Sequence, residues 1–264
     1  MDLQLDGKVA LVTGGGEGIG RRACLIFAQE GAHLVVNDII PERAQHVADE
    51  ARSHEVKALP VVADVTKPDE VDKMVEYALS EYGKIDILVN NAFAWDRKRF
   101  TQSVREEWAT PINVCLYGTL NCTWAVINHM IERKYGKVIN VVSDAGLVGE
   151  MTSPIYAAAK AGIVSFSRSL AKEVGRYAIN VNCVSPGAIN TERRIREHQA
   201  AWDRADEEGR EKIKLRNEKQ LKFYPLGRIG KPEDVGNMIV YLASDCANYI
   251  TGQVIPVDGG YAMV

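Results

Sequence analysis

A short apolar run, Val9-Ala10-Leu11-Val12, leads through Thr13 into Gly14-Gly15-Gly16-Glu17-Gly18-Ile19-Gly20, and apolar residues then recur at helical spacing from Arg21 to Ala28. The β-branched members of the run mark a buried strand. Strand, glycine turn and helix N-terminus in succession form an anion site, because free N–H groups and the helix dipole converge where side chains are absent. The spacing Gly14-x-x-x-Gly18-x-Gly20 differs from the usual Gly-x-Gly-x-x-Gly. The turn also lacks a Gly-Lys-Ser/Thr ending, which argues against ATP or GTP. The competing account is a plain tight turn, which the strand before and the helix after it disfavour.

Strand-like runs recur at Val9–Val12, Leu34–Asn37, Ala58–Val62, Ile85–Val89, Val138–Val142, Ile179–Val184 and Val254–Val257. Amphipathic stretches lie between most of them, at Arg21–Glu30, Glu42–His54, Asp69–Tyr82, Val114–Met130, Ile155–Tyr177 and Glu233–Ala243. This alternation predicts an α/β fold, a doubly wound parallel seven-stranded sheet with helices on both faces. Ligands then collect at the carboxyl ends of the strands, where the glycine turn, Asn90, Ser143 and Pro186 fall. With 264 residues, 46% of them hydrophobic, and no linker, repeat or low-complexity stretch, residues 1–264 are expected to form one domain.

A net charge of −3 gives no electrostatic footprint for nucleic acid or an anionic membrane. The N-terminal residues carry no apolar core of signal-peptide length, and a cytoplasmic protein is expected. The five cysteines, Cys24, Cys115, Cys122, Cys183 and Cys246, form no Cys-x-x-Cys pair, so buried, reduced thiols are expected. The histidines show no metal-ligand spacing, and no metal is expected.

Tyr156 and Lys160 stand four apart and share a helix face, with Ser143 just after a strand-like run. A lysine cation beneath a phenol can favour the phenolate, and such a phenol can exchange a proton with an alcohol or carbonyl oxygen. Alone, Tyr-x-x-x-Lys is equally a solvated helix face. Ser143 read alone is a strand-end turn residue, and Thr191 an ordinary helix cap.

Taken with Thr13-Gly14 to Gly20, Ala63-Asp64-Val65, Asn90-Asn91-Ala92, Pro186-Gly187 with Thr191, and Thr251-Gly252-Gln253 to Asp258-Gly259-Gly260, these residues resemble the short-chain dehydrogenase/reductase family almost from end to end. The resemblance implies an oxidoreductase that interconverts a secondary alcohol and a ketone, with Ser143, Tyr156 and Lys160 catalytic. Tyr156 moves the proton, Lys160 lowers the phenol pKa and holds the nicotinamide ribose, and Ser143 fixes the substrate oxygen. It also implies cofactor contacts at Gly14, Glu17, Gly18, Ile19 and Gly20, at Asp64 and Val65 on the adenine, at Asn90 and Asn91 near the adenosine, and at Pro186, Gly187, Ile189 and Thr191 on the carboxamide. Asp38, at the end of the second strand, can accept from the ribose hydroxyls and repel an added phosphate; Glu17 acts in the same direction, so NAD is expected over NADP. No basic residue adjoins Asp38 in the sequence, while Arg21 and Arg22 fit a solvent-facing helix turn.

Two departures from the family pattern stand out. Phe93 occupies a position usually held by glycine after Asn-Asn-Ala, predicting a partly rearranged loop. Cys115 falls seven residues beyond Trp108, where relatives place an asparagine that holds a proton-relay water, and a thiol is a poor replacement. Asn113 lies roughly 200° away around an α-helix and could take over only through a register shift, for which Pro111 is one source. The alternative to an enzyme is therefore a non-catalytic subunit of a hetero-oligomer. Residues 190–224 are expected to form a helical lid over substrate. From Arg193 to Lys222 this stretch carries ten Lys or Arg against seven Asp or Glu. Arg193, Arg194 and Arg196 are candidates to hold a carboxylate or the phosphates of a CoA thioester, which favours a hydroxyacyl thioester or cyclic hydroxy acid over a polyol, sugar or steroid; a solvated helix pair is the competing reading. By resemblance, a homodimer or homotetramer is expected through Val114–Met130 and Ile155–Tyr177.

Overall fold

Both faces of Val9–Val12 (β1) are apolar, so this strand needs a central place with helices on either side. It has that place in the computed structural model, which describes residues 2–95 and 97–264. Ala10 and Val12 face one core, Val9 and Leu11 the other. The remaining strands are β2 (His33–Asp38), β3 (Ala58–Val62), β4 (Ile87–Asn90), β5 (Gly136–Val141), β6 (Ile179–Pro186) and β7 (Val254–Val257). Their order is β3-β2-β1-β4-β5-β6-β7, and every pairing is parallel. The expected sheet is the observed one.

Parallel neighbours require crossovers, which helices supply here. They are α1 (Gly18–Gln29), α2 (Pro41–Arg52), α3 (Pro68–Tyr82), α4 (Ala109–Pro111), α5 (Gly118–Arg133), α6 (Ala145–Val148), α7 (Pro154–Val174), α8 (Glu192–Arg204), α9 (Glu207–Leu221) and α10 (Pro232–Ala243). Helices α1, α2 and α10 cover one face through residues such as Phe27, Val47 and Ile239. Helices α3, α5 and α7 cover the other through Val71, Val126 and Ala171. A smaller cluster of Cys115, Val142, Ile163 and Cys183 packs against Tyr156. The chain reverses its direction of travel across the sheet between β3 and β4, so the crevice beyond the ends of β1 and β4 is the topological switch point.

One expected helix differs in form. The stretch expected to be helical from Val114 begins as a π-helical turn, Ile112–Tyr117, and becomes regular only at Gly118. Pro111 immediately precedes it, has no N–H to give to the ladder, and accounts for the widened turn. The stretch expected to form a lid folds as α8 and α9. Each has a side-chain cap: Thr191 Oγ1 accepts from the Arg194 N–H at 3.3 Å, and Asp206 Oδ1 from the Gly209 N–H at 2.8 Å. Among the described residues no helix is long and apolar enough to cross a membrane.

Candidate active site

Gly18 adopts φ +60°, and a side chain on Gly20 would put its Cβ 2.2 Å from the Gly14 carbonyl oxygen. Only glycine at these positions lets the chain fold back so tightly before α1 begins. Asn91 closes the turn from the end of β4. Its side-chain amide donates to the carbonyls of Thr13 (3.0 Å) and Gly14 (2.9 Å), while the backbone N–H groups of Asn91 and Ala92 donate to Thr13 Oγ1. Phe93, next along the chain, is half exposed. Asn90 is buried instead among Thr123 and Asn140, to which its amide donates at 3.1 and 2.8 Å.

The N-terminus of α1 already engages an anion. Glu192 accepts the Gly18 N–H at 3.1 Å and lies 3.3 Å from Arg21. A carboxylate in that position shows that the turn can receive a phosphate, so the glycine cradle and its helix fit a dinucleotide.

Asp38 is buried at the end of β2 and accepts from the N–H groups of Gly16 (3.1 Å) and Ile40 (3.0 Å). Its surroundings correct one expectation. Arg43 does adjoin it: the Arg43 Cβ and Asp38 Oδ2 both crowd the space beside Gly16. Helix α2 brings Arg43 back over the turn, a proximity that linear order hides. The Arg43 guanidinium is occupied by Glu17 at 2.9 Å, and Glu17 also pairs with Arg196. Arg21 and Arg22 are engaged too, by Glu50 at 2.7 Å and Glu233 at 3.3 Å.

Ser143 follows β5, and Tyr156 and Lys160 occupy the first turns of α7, so strand end and helix meet at the rim of the sheet. The Ser143 side chain neighbours the Tyr156 phenol. Burial nevertheless pushes the phenol above its ordinary pKa, with a smaller lowering from Ser143. Lys160 lies one helical turn further along α7. Its Nζ lies 5.7 Å from the Tyr156 ring and donates to the Val141 carbonyl at 2.6 Å, and burial lowers its own pKa.

Cys115 is fully buried and directs Sγ at the Ala94 carbonyl, 3.4 Å away, close enough to Tyr156 and Lys160 to interact with both. Asn113 is exposed. The register irregularity that could have exchanged the two is present as the π-helical turn, yet it leaves the thiol at the site and the amide outside.

Pro186-Gly187 leaves β6 beside Ser143, with the Asp144 N–H on the Pro186 carbonyl at 3.3 Å. Ile189 is buried and bridges Gly230. The Thr191 hydroxyl caps α8, and its methyl reaches the edge of Gly18. Asp64 and Val65 lie beyond β3. The Asp64 carboxylate accepts from Thr66, and the Val65 carbonyl from Asn121 at 2.9 Å. Four of the five cysteines are buried as expected, but Cys246 is exposed.

Several neighbours were missed by sequence reasoning. Asp144 is buried next to Ser143 and hydrogen-bonds Ser185 at 2.8 Å. Trp95 packs on Tyr156 with ring centroids 6.4 Å apart and donates to Ser153 at 2.6 Å. Adjacency to Ser143 was a usable signal for Asp144; for Trp95 and Glu192 no local pattern existed.

A family model described as enoyl-(acyl carrier protein) reductase matches residues 14–262. The chain is 40% identical to the (2S)-[(R)-hydroxy(phenyl)methyl]succinyl-CoA dehydrogenase subunit BbsD of Thauera aromatica, covering 98% of both chains. It is 39% identical to the 3-oxoacyl-[acyl-carrier-protein] reductase FabG of Thermotoga maritima, covering 98% of this chain and 99% of that one. It is 40% identical to the Chlamydia trachomatis FabG over 97% of each. The chain belongs to the short-chain dehydrogenase/reductase family of nicotinamide-dependent oxidoreductases.

Proposed function

We propose that this protein is an NAD(H)-dependent oxidoreductase that interconverts a hydroxyacyl thioester and its ketone. The observation that carries this reading is the placing of Ser143 beside the Tyr156 phenol at the strand rim, with Lys160 one helical turn on and the glycine turn on the same rim. The thioester part is supported by the relatives, whose names specify CoA and acyl-carrier-protein esters. Gly14, Glu17, Gly18, Ile19, Gly20, Asp38, Asp64, Val65, Asn91, Pro186, Gly187, Ile189 and Thr191 are the residues that would hold the cofactor, with Tyr156 and Lys160 at its reactive end. When bound, the nicotinamide accepts or supplies the hydride. Ser143 hydrogen-bonds the substrate oxygen, Tyr156 takes the alcohol proton or returns it, and the buried Lys160 ammonium stabilises the charge left on the phenol. A hetero-oligomer with a partner chain is the second reading, favoured by Cys115 in the site and by a relative named as a subunit.

Tyr156→Phe is expected to abolish turnover because the phenol is the proton-exchanging group that Ser143 and Lys160 flank. Cys115→Asn is expected to leave turnover intact or raise it several-fold, the worth of one hydrogen bond at ~1 kcal/mol. Steady-state kinetics checks both, and an active Tyr156→Phe variant rules out the proton role. If no alcohol supports cofactor reduction by the wild-type chain, and calorimetry detects no NAD binding, the non-catalytic reading replaces this one.

NAD preference rests on the buried Asp38 carboxylate and on Glu17, which holds Arg43 away from service as a phosphate ligand. A higher kcat/KM with NADP than with NAD would contradict it. Asp38→Ala should narrow the gap by weakening NAD use, and Glu17→Gln should narrow it by freeing Arg43.

The pH dependence of stability has a defined sign. Burial, assisted by the nearby Asp258 carboxylate, raises Asp144 from 3.8 to about 7. The folded protein therefore keeps this proton between roughly pH 4 and 7, where the unfolded chain has lost it. Stability falls as pH rises through that window and levels off above it, by at most about 4 kcal/mol for this one group. Asp144→Asn, which keeps an amide donor toward Asp258, should remove that slope. Identical slopes in denaturant titrations of wild type and variant at pH 5 and 8 would refute the assignment.

The proposed assembly is a homodimer or homotetramer paired through α5 and α7, since Trp124 on α5 is 72% exposed. Light scattering at micromolar concentration should give two or four subunit masses; one subunit mass speaks against it.

A further inference from the structure

Several basic side chains of α8 and α9 have a local partner, and one group is placed differently. Arg193 pairs with Glu197 at 2.8 Å and Arg196 with Glu17, while Lys212 pairs with Glu208 at 2.6 Å. Arg210 and Lys214 lie over the Trp202 ring. Arg194 and His198, one turn apart on α8, instead face Arg216 and Gln220, one turn apart on α9. Arg194 donates to Gln220 at 3.2 Å. Arg97 joins them from the loop after β4, near enough that its charge and that of Arg216 act on both Arg194 and His198. The Arg194 Nε is buried, and among the described residues it has no hydrogen-bond partner. The nearest acceptor carboxylate in the group, Glu197, is held by Arg193. Like charges gathered around a buried, unused guanidinium edge are costly unless an anion joins them.

The position of this group identifies the kind of anion. The Arg97 guanidinium stacks 4.4 Å from the Trp95 ring centroid, and that ring packs against Tyr156. On the other side, Tyr224 interacts with Arg194 and accepts the Ala188 N–H at 3.4 Å, next to Gly187. The cluster thus lies one aromatic ring from the group that exchanges the proton. The phosphates of coenzyme A sit at the far end of a long pantetheine arm, many bonds from the reacting carbon. A carboxylate on the acyl chain itself lies only a few bonds away.

We propose that Arg194, with Arg97, His198 and Arg216 around it, binds a second carboxylate carried on the acyl group, so that the substrates are hydroxyacyl thioesters of dicarboxylic acids. This rests on the thioester reading above and narrows its substrate class. The guanidinium edge presents Nε and Nη as a fork for both carboxylate oxygens, which neutral acyl chains leave unsatisfied. Selectivity against them follows from that unsatisfied edge.

The test uses two ligands of equal acyl length that cannot react and carry no phosphate, succinyl-N-acetylcysteamine and butanoyl-N-acetylcysteamine. Calorimetry on the full chain with cofactor present should show the succinyl thioester bound roughly tenfold to a hundredfold more tightly, the range of a charge-assisted hydrogen bond. Arg194→Met should remove that preference, and Arg216→Gln should reduce it in case the first variant fails to fold. Equal affinities in the wild type overturn the proposal, as does an Arg194→Met variant that weakens both ligands alike. Free coenzyme A forms a third arm: if Arg194→Met weakens it and leaves the succinyl preference unchanged, the cluster reads carrier phosphates and the proposal is wrong. Turnover of 3-hydroxyglutaryl-N-acetylcysteamine, which carries the second carboxylate, with NAD separates the two readings. A retained succinyl preference without any turnover sinks the oxidoreductase reading alone, and turnover without the preference sinks the carboxylate site alone.

Discussion

Seven strands running the same way leave all their carboxyl ends on one rim, and everything chemical in this chain is a consequence of that direction. A parallel sheet must send each strand's continuation away over one of its faces, so each strand end becomes a loop leading toward a helix. At β1 the loop is the glycine turn, at β4 Asn90 and Asn91, at β5 Ser143 and Asp144, at β6 Pro186 and Gly187. These residues are far apart in the chain and adjacent in space for this reason alone. Helix α7 adds Tyr156 and Lys160 because its N-terminus starts at the same rim.

Concentrating polar groups on one rim makes them compete for partners. The α1 N-terminus takes Glu192, Glu17 takes both Arg43 and Arg196, and Lys160 takes the Val141 carbonyl. Each contact satisfies a charge or a free N–H that would otherwise be exposed near an apolar wall. Each also ties a functional group to a partner that a ligand must replace. The contacts of Glu192 and Arg196 both originate in α8, so the start of the lid is fastened directly to the glycine turn. An anion that displaced Glu192 from Gly18 would therefore release one of the contacts that hold α8 to the turn.

Much of the fold was legible because burial on both faces turns strands into unbroken apolar runs and leaves helices amphipathic. Val9–Val12, Ala58–Val62 and Val254–Val257 have the bounds read from sequence. The form of the helix before Gly118 was less legible, since a π-helical turn follows from hydrogen-bond registers that a pattern of residue types does not encode. Even so, the spacing from Trp108 correctly put Cys115 rather than Asn113 at the site. In the site itself, Ser143, Tyr156 and the glycine turn carried local signatures. Arg43, Trp95 and Glu192 did not, because their neighbours are set by crossovers and by the segment after β6, while Asp144 was signalled only by its adjacency to Ser143. For Lys160, helical spacing gives the face the lysine occupies, not which acceptor its ammonium selects, here the Val141 carbonyl.

The lid shows how a charge count conceals structure. Its excess of basic residues admitted a solvated helix pair as readily as an anion site, and both descriptions apply to different residues. Helix α9 has its apolar and charged residues spread around its circumference without a buried residue, and α8 likewise buries none. Helices of that composition are held by caps, by ion pairs four residues apart and by stacking on Trp202, contacts that are individually weak. What distinguishes Arg194 is its direction. One helical turn beyond the Thr191 cap, it faces inward toward Gln220 and Tyr224, and the desolvation that lowers its pKa is the cost of that placement. Its bond to Gln220 meets part of that cost, while its buried Nε has no hydrogen-bond partner among the described residues, and it is this edge that an anion entering from the Tyr156 side would meet.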